Sequence, residues 1–167
     1  MLALIMASAM AVSMTACSGK TEETAASQTE KEAENAAPEG NASGETYTIG
    51  ICQLVQHEAL DAATKGFKDA ITDALGDAVT FEEQNAQGDS NTCSTIINGF
   101  VSSNVDLILA NATAALQAAQ AGTNEIPVLG TSVTEYGVAL GIDDFGGTVG
   151  GNISGTSDLA PLDEQAA

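Results

Sequence analysis

The chain has 167 residues and a formal net charge of −19, with 23 acidic residues set against four Lys and no Arg. Binding to phosphate depends on Lys and Arg, so this balance excludes nucleic acid as a partner and sets the surface against anionic lipid headgroups. The length suits one domain, and the acidity itself reads as a solvated, soluble face.

Taken in order, residues 2–16 form an apolar run, Leu-Ala-Leu-Ile-Met-Ala-Ser-Ala-Met-Ala-Val-Ser-Met-Thr-Ala, too short to span a bilayer as a mature helix. Residues 1–16 therefore read as a signal peptide. Met14-Thr15-Ala16-Cys17 resembles a bacterial lipobox, which makes Cys17 the expected lipidation site and membrane anchor; the alternative is an ordinary cysteine of a cleaved secretory signal. Met14 stands where Leu is usual, and no Lys or Arg precedes the apolar core, which suggests a start further upstream. Residues 17–46 continue as a tether. From 18 to 46 there is no Ile, Leu, Val or Phe to offset chain entropy by burial.

Tyr47 to Cys52 reads as a buried strand, followed by a polar loop from Gln53 to His57. Leu60, Ala63, Phe67, Ile71 and Ala74 then recur at helical spacing, and Gly76 ends the helix. A short strand follows from Ala78 to Ala86, edge-like in its Glu82 and Glu83. Gly88-Asp89-Ser90-Asn91 supplies a turn and an N-cap for a helix whose apolar stripe is Ile96, Ile97, Phe100 and Val101. Val105 to Ala110 reads as a buried strand. Asn111-Ala112-Thr113 is expected to cap an alanine-rich helix ending at Gly122, Pro127 opens a fourth strand, and Val138 to Ile142 offers a fifth. Strands alternating with helices at this spacing predict an α/β fold, a doubly wound parallel sheet with strand order 2-1-3-4 over residues 47–142.

From residue 143 onward the glycine density opposes a stable helix, so 143–167 reads as a crossing segment, with Pro161-Leu162-Asp163-Glu164-Gln165 opening a new helix at the end of the chain. This predicts a truncated second lobe. The Gly-Gly-Thr-Val-Gly-Gly at 146–151 lacks the Lys-Ser/Thr of a phosphate loop and reads as linker. Cys52 and Cys93 fall toward the carboxyl edge of the sheet, and a disulfide and two buried thiols both fit the sequence. His57 is the single histidine, no nucleophile has an assignable base, and no metal-ligand spacing is present. No enzyme, cofactor or metal is expected.

Three loops meet at the carboxyl edge of such a sheet, where open α/β sheets bind ligands. They carry the expected ligand-binding residues: Gln53, Gln56 and His57; Asn111, Thr113 and Ala114; Ser132, Thr134 and Glu135. Helix N-termini at Glu58 and Thr113 offer free N–H groups to a carboxylate, and Glu135 offers a charge to an ammonium. The other reading of each residue is a helix cap.

Gln-Leu-Val-Gln-His-Glu-Ala-Leu-Asp with Gly66-Phe67, then Ala86-Gln87-Gly88-Asp89, the Thr113 loop, Thr131-Ser132-Val133-Thr134-Glu135-Tyr136 and Asn152-Ile153-Ser154-Gly155-Thr156-Ser157-Asp158 resemble the ABC-transporter substrate-binding lipoproteins of the tryptophan/tyrosine type. Ala114 stands for a frequent Pro and Glu135 for a frequent Asp. The resemblance implies a type I periplasmic-binding-protein lobe and a small ligand, with an amino acid, aromatic or otherwise, as the expected class. It also implies a membrane permease as partner, an extracytoplasmic, lipid-anchored location, and a monomer at full length. The competing readings are a flavodoxin-like sensor or enzyme, since fold does not fix function, and an inactive fragment.

Overall fold

Side chains alternate along each central strand, and that alternation decides where the helices lie. The computed structural model describes residues 44–158; the expected signal segment, Cys17, most of the tether and the expected helix start at 161–165 lie outside them. Strand β1 (Tyr47–Gln53) turns Ile49 and Ile51 to one face and Gly50 and Cys52 to the other. On the first face lies α1 (Glu58–Leu75), with Phe67 and Ile71 packed against Ile49, Ile51 and Leu109. The second face is covered by α2 (Ser90–Ser103) and α3 (Thr113–Gly122), whose Ile96, Ile97, Phe100 and Leu116 join Cys52, Ile108, Ala110 and Val128 in the larger core.

A single 3-10 turn, Gly76–Ala78, leads from α1 to β2 (Val79–Asn85), and β3 (Leu107–Asn111) and β4 (Val128–Val133) follow. With a fifth strand, β5 (Ile153–Ser157), the sheet runs β2-β1-β3-β4-β5 with every pair parallel. The expected order 2-1-3-4 is present, with one strand added.

That added strand corrects two expectations. Val138 to Ile142 is not a strand: Tyr136–Leu140 forms a short helix, α4. Both oxygens of Glu135 accept from the N–H groups of Gly137 and Val138, at 2.8 and 2.6 Å, and Gly141 closes the helix in the left-handed conformation. A short apolar run suits helix or strand equally, and here the caps decide. Val138 is 82% exposed, which a buried strand would not allow. The fifth strand, β5 (Ile153–Ser157), lies instead inside the stretch expected to be loop, beside β4. With one apolar residue in five it has little strand signal of its own; the backbone of β4 supplies the pairing.

Candidate ligand-binding site

Because all strands run the same way, their carboxyl ends form one rim. The register aligns Asn85, Gln53, Asn111 and Thr131 in a single row across four adjacent strands. On the two central strands, Gln53 and Asn111 follow directly on the buried apolar residues of β1 and β3, so the row marks where the core stops.

Beneath the rim, a hydrogen-bonded chain ties β1, α1 and β3 together. Gln53, 4% exposed, donates through Nε2 to Asp61 Oδ1 at 2.6 Å and to the Val55 carbonyl at 3.0 Å. Thr64, the one buried residue of α1, donates to Gln53 Oε1 at 2.7 Å. Asn111 donates to Thr64 Oγ1 at 2.9 Å and to the Leu60 carbonyl at 2.8 Å. Gln53 and Asn111 are thus occupied in holding the rim rather than turned freely to a ligand. Asn111 also does not cap α3, as the sequence suggested. Its Oδ1 is buried without a partner, a cost that calls for an explanation at a site.

Helix α3 starts with no side-chain cap. Ala112 occupies the cap position at φ 94, ψ 160, a conformation that costs a non-glycine residue of the order of 1–3 kcal/mol. Its N–H donates to the Thr131 carbonyl at 2.9 Å. Ser132, on the neighbouring strand, is left-handed at φ 55. Two strained residues therefore sit on adjoining strand ends. Nothing in the sequence announces Ala112, because alanine carries no preference for positive φ.

Thr113, Thr134 and Glu135 come together, lining an open hollow of about 340 Å³ with Gln117, Val138 and Ala139. Ala114, half-buried, lies in the first turn of α3. Gln53 and Gln56 face a second hollow of about 570 Å³ toward Asp61, Glu83, Asn85 and Gln87. His57 is exposed and caps α1, its Nδ1 accepting from the Ala59 N–H at 3.2 Å. Glu135 caps α4, so the capping alternative holds for both His57 and Glu135. A hollow of about 580 Å³ lies elsewhere, along β5, between Tyr136, Phe145 and Val149. Burial, and then the nearby Asp158 carboxylate, pushes the Tyr136 phenol up from its ordinary value. Among the described residues no N-terminus of a long helix lines that hollow, so the α3 rim is the better candidate site.

Residues 48–167 match the family described as ABC transporter substrate binding protein. The chain belongs to that family. The chain is 39% identical over 167 residues to the tyrosine-binding protein of Clostridioides difficile (strain R20291), covering 98% of its own length and 46% of that protein. It is also similar to the ligand-free, open structure of a substrate binding protein with adhesive properties from Clostridium difficile, at 40% identity and a TM-score of 0.65, covering 71% of this chain and 41% of that one. A Streptococcus pneumonia ABC domain in complex with L-Trp aligns at 29% identity and a TM-score of 0.63, over 72% of this chain and 41% of that one. The chain spans less than half the length of these relatives, and the fold it shares with them is the α/β lobe of a periplasmic binding protein.

Proposed function

We propose that this chain supplies one wall of an amino-acid site in an extracytoplasmic, lipid-anchored solute-binding protein, which delivers its ligand to an ABC permease. The observation that carries the reading is the uncapped N-terminus of α3 opening into the hollow shared by Thr113, Thr134 and Glu135. Free N–H groups and the positive end of the helix dipole favour the ligand carboxylate there. Glu135, which caps α4, lines the same hollow and serves the ligand ammonium. The tyrosine-binding relative and the L-Trp complex support an aromatic amino acid as ligand. Lipidation at Cys17 would hold the domain near the permease, with residues 18–46 as tether; two or more acyl chains are needed for a firm anchor.

Amide chemical shifts of the 167-residue chain, followed during titration with L-tryptophan and with tryptamine, test the site. Thr113 and Ala114 should move with the amino acid and stay still with the amine, which lacks the carboxylate but keeps the ammonium that Glu135 meets. Equal shifts with both ligands would remove the carboxylate from α3.

A further inference from the structure

We propose that Cys52 and Cys93 are joined by a disulfide as the chain folds, pinning the carboxyl end of β1 to the first turns of α2. Both are free thiols in the structure, both are fully buried, and both belong to one apolar cluster with Ala86, Ile97 and Phe100. The turn into α2 is hydrogen-bonded to the end of β1, which brings Cys93 toward Cys52 within that cluster, and each thiol acts on the titration of the other. Neither has a role in the rim: Gln53, next to Cys52, turns to the opposite face and bonds Thr64 and Asp61.

Burial also decides when the bond forms. Exchange needs a thiolate and access for the oxidant. Burial, with the Cys93 sulfur adding to it, pushes the Cys52 thiol far up, and burial raises Cys93 as well. The folded, reduced protein is therefore a poor substrate, whereas the open chain exposes both thiols. A low-molecular-weight disulfide is the oxidant. One cysteine thiolate attacks it, forming a mixed disulfide and releasing one small thiol; the second thiolate then displaces the other small thiol as the protein S–S bond closes. The two protons lost by the cysteines end on the two released thiols, so the protein is oxidised by two electrons and one small disulfide is reduced.

The bond closes a loop of about forty residues that includes α1, β2 and the turn into α2. That turn is already tied to β1: Ala86 N–H donates to the Gln53 carbonyl at 2.8 Å and Gly88 N–H to the Leu54 carbonyl at 2.7 Å. A covalent link here holds the floor under Gln53 and Gln56 in place.

Cleavage at Lys20, Lys31, Lys65 and Lys68 leaves each of the three cysteines on its own peptide. The full chain, refolded from urea in a buffer of reduced and oxidised glutathione, should yield residues 32–65 joined to 69–167 on mass spectrometry without reductant, lighter by two hydrogens than the separate peptides. The oxidised chain should melt about 10 °C above the reduced one. Cys93→Ala should abolish that dependence on reductant. The reduced native chain should react with an aromatic disulfide at least ten times more slowly than the same chain in urea. Recovery of Cys52 and Cys93 as alkylated free thiols, or a bond made chiefly to Cys17, overturns the proposal, and equal rates in the native and unfolded chain overturn the timing.

Discussion

Gly50 and Thr113 carry opposite obligations, one to the core and one to the rim. A Cβ placed on Gly50 would stand 2.7 Å from Cδ2 and Cγ of Phe100, whose ring is fully buried on α2 against that face of the sheet. Gly50→Ala should therefore cost about 1–3 kcal/mol through overpacking. Urea unfolding would measure it, and combining the change with Phe100→Leu should return part of the loss, since neighbours that share a space do not add. Thr113, exposed at the start of α3, has no such packing burden. Thr113→Ala should leave the urea midpoint nearly unchanged. In a chain extended by a second lobe, it should weaken amino-acid binding by about 1–3 kcal/mol where its hydroxyl leaves a buried ligand group unpaired. Calorimetric titration with L-tryptophan decides this, and unchanged affinity would shift the contact from the hydroxyl to the backbone.

At the scale of elements, caps explain both what could be read from the sequence and what could not. Asp89 was legible as the start of α2, and its Oδ1 accepts from the Thr92 N–H at 2.6 Å and the Thr92 hydroxyl at 2.9 Å. The backbone bond, followed by the hydroxyl, holds the Asp89 carboxyl below its ordinary value. A carboxyl depressed in the folded state stabilises the fold above its unfolded pKa, and the contribution is lost as pH falls through the folded value. Urea midpoints taken down an acid series should fall less steeply in Asp89→Ala than in the parent. An identical slope would mean that the cap adds nothing. β1, α1, α2, β3 and α3 were equally readable, since each pairs a clear period with a stop signal. Glu135 reads from the sequence as either an ammonium partner or a cap, and on the first reading the following Val-Ala-Leu suits a strand. β5 escaped for a different reason: a pairing stabilised by the neighbouring strand leaves no period in its own residues. In the site, the grouping of Thr113 with Thr134 and Glu135 followed from parallel strands alone. The Gln53–Thr64–Asn111 chain did not, because it depends on α1 lying across the rim at one particular height.

At the scale of the molecule, the rim is open. Hollows of about 340 and 570 Å³ border the carboxyl edge, and among the described residues neither has an opposing wall. Ligand sites of high affinity bury most of a small molecule's surface, and two-lobed binders achieve this by closing one lobe on the other. The chain spans 46% of its tyrosine-binding relative. A carboxylate bound at α3 alone would keep much of its contact with water, and the N–H groups there would gain little over hydration. The 167-residue chain should therefore bind aromatic amino acids at least a hundredfold more weakly than a chimera that continues it with the remaining length of that relative. Such a ratio corresponds to about 2.7 kcal/mol, from roughly 1.4 kcal/mol per tenfold. Titration calorimetry on both proteins with L-tyrosine and L-tryptophan measures it. Equal affinity would mean that a single lobe encloses its ligand, and the site would then have to lie in a hollow deeper than the rim, with the cleft along β5 the next place to look.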